Sequence, residues 1–147
     1  MSFQSWVEYG WLKAHQSSRE EIGNLFGIID RDLKDCDVPG LSADARLERA
    51  YNAALQCATV ALFASGYRAS SRDNHYKVIE SLEMTLQDAE IKQKLDRFRA
   101  KRNKLNYEMA GAVSDREVEE MVGLARELRP RVRAWLEKNH PKLLPPK

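Results

Sequence analysis

Apolar residues recur along this chain at the three- and four-residue spacing of helices almost from end to end. Trp6, Val7, Tyr9, Trp11 and Leu12 predict a short, aromatic-rich amphipathic helix over about 2–16. Ser18-Arg-Glu-Glu21 has the form of a capping box, in which the serine hydroxyl accepts the free N3 amide and the glutamate reaches back. The helix it opens carries Ile22, Leu25, Phe26, Ile29 and Leu33 as one stripe. It ends at Val38-Pro39-Gly40, because proline cannot continue the hydrogen-bond ladder. Ser42 caps the next helix, which runs to about Ser65. Its centre, Ala50 to Phe63, is apolar on nearly every side, so other helices must surround it. The alanines at 50, 53, 54, 58 and 61 let those neighbours approach closely.

Gly66 and the polar run Ser70 to Asn74 predict a loop. Helical spacing returns near His75 with Val78, Ile79 and Leu82, and breaks at Gln87-Asp88, where Asp88 is a good N-cap. In the segment from Asp88 to about Glu108, Ile91, Leu95, Phe98 and Leu105 fall in one stripe. Arg102 falls in it too, ~20° from Ile91 on an ideal wheel. A guanidinium is never discharged, and burying it unpaired costs several kcal/mol. The position therefore demands either an acid, with Asp44, Glu48 and Asp96 as candidates, or a cleft whose ligand brings the negative charge. After Ala110-Gly111-Ala112, Ser114 and Glu117 form a second capping box, and Val113 and Val118 a hydrophobic staple. The final helix buries Val118, Met121, Val122, Ala125, Leu128, Val132, Trp135 and Leu136, with a kink expected at Pro130. No strand pattern, repeat or second domain is visible, so the expectation is one all-α domain over 1–140 and a flexible proline-rich tail over 141–147.

Composition narrows the class. With 147 residues, 43% apolar and 31% charged, the chain reads as an ordinary globular domain with a real core. No apolar run reaches the ~20 residues that cross a bilayer, and no signal peptide opens the chain, so no membrane role is expected. Cys36 and Cys57 lack metal-type spacing and read as the reduced thiols of a cytoplasmic protein. The net charge of +2 hides a local excess. From Lys92 to Lys104 seven basic residues stand against one acid, Asp96, and Arg126, Arg129, Arg131 and Arg133 follow. Such a run either attracts phosphates or is a solvated helix surface.

Most enzyme chemistry lacks its parts. There is no glycine-rich nucleotide motif, P-loop, nucleophile elbow or zinc-protease motif. His15, His75 and His140 lie in separate segments, and neither a metal nor a cofactor is expected. Glu20, Glu21, Glu119 and Glu120 are first-turn residues favoured by the helix dipole. What remains is Arg97 to Glu108. There Arg99, Asn103 and Tyr107 share one ridge, and Arg102 and Asn106 the next. They offer a guanidinium suited to bidentate phosphate binding, two amides and a phenol. The plainer alternative is an arginine that ties helices together, with Tyr107 at the edge of the core.

Arg102-Asn103-Lys-Leu-Asn-Tyr107 resembles the arginine motif of HEPN domains, in which a polar residue follows the arginine and a histidine comes a few positions later. The alanine-rich helix followed by Gly66-Tyr67-Arg68, and the late position of the motif before a final amphipathic helix, are similar to the same family over about 18–137. The resemblance implies a HEPN-like four-helix up-down bundle with an additional short N-terminal helix, often a homodimer whose motifs meet near the two-fold axis. It also implies a toxin–antitoxin or defence setting, a nucleotidyltransferase-type partner, and RNA or a nucleotide as ligand. Many members are metal-independent ribonucleases in which histidine moves a proton and arginine stabilises charge on the phosphate. By position, the catalytic pair here is Arg102 and Tyr107, and Arg99, Arg102, Asn103 and Asn106 form the phosphate or nucleic-acid site.

Tyr107 stands where the histidine is expected, and a phenol with a pKa of about 10 is a poor base at neutral pH. That departure turns the expectation toward a non-catalytic or regulatory binding module. The endoribonuclease is the alternative, and a purely structural helical scaffold the second alternative. Tyr107 also lies ~140° from Arg102 on an ideal wheel, so a shared site needs a helix end, a bend or a dimer contact. His75 or His140 can reach the site only through the fold.

Overall fold

The computed structural model describes residues 2–71 and 74–147, and the chain is all-α in character. Its helices are α1 (Phe3–Glu8), α2 (Arg19–Asp35), α3 (Ala43–Ala64), α4 (His75–Glu80), α5 (Leu82–Thr85), α6 (Ala89–Tyr107) and α7 (Asp115–Asn139). The apolar girth of α3 has the expected consequence. It packs most extensively against α2 and α7, and also against α4, α5 and α6. Leu47, Ala50, Ala53, Ala54, Cys57, Ala58, Val60 and Ala61 are completely buried along it. Alanines at the contact remove the side-chain bulk that would otherwise hold the neighbouring helices apart.

Caps mark the helix starts where the sequence places them. Ser18, Ser42, Asp88 and Ser114 each accept a backbone amide of the first turn. At Ser114 the box is complete, with Glu117 returning to the cap amide at 3.0 Å. At Ser18 only half of it forms, because the Glu21 carboxylate turns instead to His15 Nε2 and Ser17 Oγ, each at 2.7 Å. Helix α7 runs through Pro130 without interruption.

The N-terminal segment corrects the sequence reading. Helix α1 stops at Glu8, Gly10 takes φ +79°, and the chain then extends as β1 (Leu12–Ala14). β1 pairs antiparallel with β2 (Tyr67–Ala69), in the register Leu12↔Ala69, Lys13↔Arg68 and Ala14↔Tyr67. Three-residue strands are too short to show alternation, and their aromatic neighbours mimic helical spacing. The pairing returns the first segment to the exit of α3, where Gly66 at φ +98° turns the chain. Trp6, Leu12 and Leu62 make a second, smaller core there. Lys77 of α4 clamps it, its ammonium 3.5 Å from the Trp11 ring centroid and 2.8 Å from Glu80.

The tail over 141–147, expected to be flexible, is docked. It makes a 3-10 turn at Pro141–Leu143, and Leu143 and Leu144 pack against the main core. Arg133 Nη2 donates to the Pro145 carbonyl at 2.9 Å.

One buried residue escaped the sequence pattern. Asp32 of α2 is fully buried, whereas Leu33, assigned to the stripe, is only partly so. Its Oδ2 accepts Asn52 Nδ2 at 2.6 Å, and its Oδ1 accepts Arg31 Nε at 3.1 Å with Arg49 Nη1 at 3.8 Å. A buried carboxylate is tolerated only with such partners. Asp32→Ala should destabilise the fold by about 1–2 kcal/mol, since it removes the acceptor of the part-buried Asn52 amide. Asp32→Asn, which keeps an acceptor, should cost less. Urea denaturation measures both; an Asp32→Ala midpoint equal to wild type would show that the carboxylate holds nothing together.

Candidate functional site

Helix α6 carries the site, and its start is fixed from two sides. Asp88 Oδ1 accepts the Ile91 amide at 3.0 Å, while Oδ2 accepts Arg131 Nη1 of α7 at 2.7 Å. The Ile91 amide, with the Arg131 guanidinium, holds the Asp88 carboxyl below its ordinary range. Ile91, Leu95 and Phe98 then bury the inner face one turn after another. The next position on that stripe is Arg102.

Its acid partner is Glu48, on the first turns of α3. Arg102 Nε donates to Oε2 at 3.0 Å and Nη2 to Oε1 at 3.2 Å, a side-on bidentate pair. Arg102 Nη1 also donates to Asn103 Oδ1 at 3.3 Å, and Asn106 Nδ2 to Glu48 Oε2 at 3.2 Å. The guanidinium lies 5.8 Å from the Tyr51 ring centroid. Hydrogen bonding to Glu48 raises the arginine pKa further, so it stays charged. Of its five N–H groups, Glu48 takes two and Asn103 one, and two remain without a partner among the described residues. The arginine side chain is 21% exposed and Glu48 39%, so the pair is not inside the core, and Arg102 borders an opening.

That opening is a cleft of about 600 Å³ between α6 and the start of α4. Arg99, Arg102, Asn103, Lys104 and Tyr107 line it from α6, and Asn74, His75 and Tyr76 from the other side. Tyr107 is the last residue of α6 and is 78% exposed. The helix end lets a residue on a different face reach the same cleft as Arg102. Asn106 is not in the lining; its amide is engaged by Glu48. Four of the expected site residues (Arg99, Arg102, Asn103 and Tyr107) therefore meet, and one is diverted.

The fold also delivers a histidine. His75, at the first turn of α4, places Nδ1 3.2 Å from the Tyr51 hydroxyl, and Tyr51 is buried beneath Arg102. Burial pushes the Tyr51 hydroxyl far above its ordinary pKa, so it stays protonated beside the imidazole. Twenty-seven positions separate His75 from Arg102, and no spacing rule connects them. His15 pairs with Glu21 and His140 packs tilted against Trp135 at 5.2 Å between centroids, so neither joins the site.

The basic run has a different distribution in space than along the sequence. Lys92 faces Glu83 at 3.7 Å, Lys94 faces Glu90 at 3.2 Å, Arg99 faces Asp96 at 2.8 Å, and Lys101 faces Glu117 at 3.3 Å. Arg126, Arg129 and Arg131 pair with Asp37, Asp30 and Asp88. Among the described residues, Arg97 and Lys104 alone in the run make no ion pair. Three cations, Arg99, Arg102 and Lys104, line the cleft against one acid, Glu108, while Asp96 and Glu48 pair with the two arginines from outside the lining.

Other chemistry finds no support. Both cysteines are buried and unpaired, and burial pushes the Cys57 thiol up to about 12. Among the described residues no group of three His, Cys, Asp or Glu side chains converges as metal ligands would. Among those residues, too, no helix is long and apolar enough to cross a membrane. No protein-family model, curated protein or solved structure matches the chain.

The frame of α6 carries a pH signature. Glu117, held by the Ser114 amide and by Lys101, is also depressed below its ordinary pKa, like Asp88. Carboxyls depressed in the folded state add stability above their unfolded values, about 4. That stability is lost as pH falls through the folded values. Urea titrations at pH 7 and pH 3 should show a shallower acid loss in Asp88→Ala, together with about 1 kcal/mol less stability at pH 7. An unchanged acid limb would remove Asp88 from this account.

Proposed function

We propose that the Arg102 cleft binds a phosphate of RNA or a nucleotide, and that the chain is a HEPN-like helical domain. In this reading α2, α3, α6 and α7 are the members of a four-helix up-down bundle, and α1 is the additional short helix. Support comes from the surrounded alanine-rich α3, and from an arginine motif placed late, before the final amphipathic helix. The protein then acts as a non-catalytic or regulatory module of a toxin–antitoxin or defence system. It would work in the cytoplasm as a homodimer, beside a nucleotidyltransferase-type partner.

One observation carries the binding reading. Glu48 holds the Arg102 guanidinium along one edge and leaves two N–H groups beside a cleft where Arg99 and Lys104 add charge. A partner acid is also what the scaffold reading requires, so magnitude has to decide. A partly exposed ion pair contributes about 1 kcal/mol or less to stability. It is a weak fastener between α3 and α6 but a good orienting device. Removing Arg102 should therefore cost affinity far more than stability.

The position of His75 favours a second reading, metal-independent cleavage of RNA. There a 2′-hydroxyl attacks the adjacent phosphorus, and the bond to the 5′-oxygen breaks. The products are a 2′,3′-cyclic phosphate and a 5′-hydroxyl. His75 would transfer the proton, and Arg102 would stabilise the charge on the phosphoryl oxygens.

Fluorescence anisotropy with a labelled RNA oligonucleotide separates the readings. Arg102→Gln is expected to weaken binding about ten-fold or more, the worth of a charge-assisted phosphate contact, and to melt within a few degrees of wild type. Equal affinity with a large loss of stability would leave Arg102 as a structural tie. In parallel, 2′,3′-cyclic ends that are produced by the wild type and lost in His75→Ala would establish the ribonuclease. Intact RNA under conditions where a control nuclease cuts would leave the binding module.

A further inference from the structure

Tyr76 and Tyr107 are large side chains that packing does not account for. Both are exposed, at 44% and 78%, and neither belongs to either core cluster. Both line the Arg102 cleft. Tyr76 stands on the first turn of α4, with the Arg99 guanidinium 5.3 Å and the Lys77 ammonium 5.6 Å from its ring centroid. Its ring thus lies within cation–π range of an arginine that also faces the cleft. Tyr76 is also the crest between this cleft and a second one of about 550 Å³, which continues along α4 and α6. That second cleft is charge-balanced: Lys92, Lys94 and Arg97 are offset by Glu80, Glu90 and Asp96. On the Arg102 side the lining cations outnumber the one lining acid, and Lys104 has no ion pair among the described residues.

A positive floor beside exposed aromatic rings is how proteins hold single strands: arginine or lysine takes the backbone and the rings take base faces. Paired bases keep their faces inside the duplex stack and cannot offer them. We propose that Tyr76 and Tyr107 are stacking platforms for unpaired bases, so that the cleft selects single-stranded nucleic acid over duplex. This rests on the reading that the cleft holds a phosphate, and adds to it the identity of the neighbouring group. Tyr76 is the stronger platform of the two, because α4 and its cationic neighbours fix its ring, whereas Tyr107 ends a helix.

The test uses the full chain and four probes. These are a single-stranded RNA carrying one 2-aminopurine, the DNA of the same sequence, the RNA duplex, and an abasic strand of equal length. Stacking should quench the 2-aminopurine and make the base-bearing strand bind at least about five-fold tighter than the abasic strand or the duplex. Tyr76→Ala should lose on the order of five- to a hundred-fold on the base-bearing strand and nothing on the abasic one, while Tyr76→Phe retains binding. Arg102→Gln should weaken every probe, the abasic strand included. Equal binding of all probes, or indifference to Tyr76→Ala, overturns the stacking proposal and leaves the phosphate site standing. Failure of every probe to bind overturns the phosphate reading itself.

Discussion

Helix α3 sets the terms for everything around it. It spans 22 residues and buries side chains on most of its circumference, so α2, α7 and α6 must cover it. Such coverage is enforced by the hydrophobic effect, at about 25 cal/mol for each Å² removed from water. From Leu47 to Ala64, only Glu48, Arg49, Asn52, Gln56, Thr59 and Phe63 escape full burial. Because α3 is locked from Leu47 onward, the turn that carries Glu48 is a fixed platform. Glu48 projects from that platform, and Tyr51 follows one turn later, beneath Arg102.

The site follows from that platform. An arginine in the buried stripe of α6 needs negative charge, and Glu48 supplies it from a helix that cannot move away. The pair holds the guanidinium in one orientation and leaves part of it uncommitted. Tyr51 extends the same cluster to His75, which brings α4 to the cleft. The chain thereby assembles, from three helices, a group of side chains that no single helix could present. The ion pairs elsewhere on α6 and α7 work the other way. They neutralise most of a basic run that in sequence looks like one continuous electropositive surface, Arg99 of the cleft included, and leave Lys104 there without an ion pair among the described residues.

What was legible in the sequence was whatever depends on local periodicity or on a cap. Helices α2, α3, α6 and α7, the N-caps at Ser18, Ser42, Asp88 and Ser114, and the anomaly of Arg102 all belong to that class. Glu48 stood among three candidate acids, and only the packing of α3 against α6 selects it. The pairing of β1 with β2, the burial of Asp32 and the arrival of His75 were illegible, because each depends on residues far apart in the chain. Asn106 shows the limit of ridge arguments. Its spacing is right for the site, but a stronger acceptor, Glu48, draws its amide away. Tyr107 shows the reverse, since a helix terminus brings it to a cleft that an ideal wheel denies it.

Central to this account is that Arg102 keeps Glu48 along one edge while its remaining N–H groups take a phosphate. Nuclear magnetic resonance of the arginine side-chain nitrogens reads this directly during titration with a short single-stranded RNA. The account predicts that the Arg102 Nη signals shift and slow their exchange with water on binding, while Nε stays protected by Glu48. Unchanged Arg102 signals at saturating RNA, with shifts at other arginines instead, would contradict it.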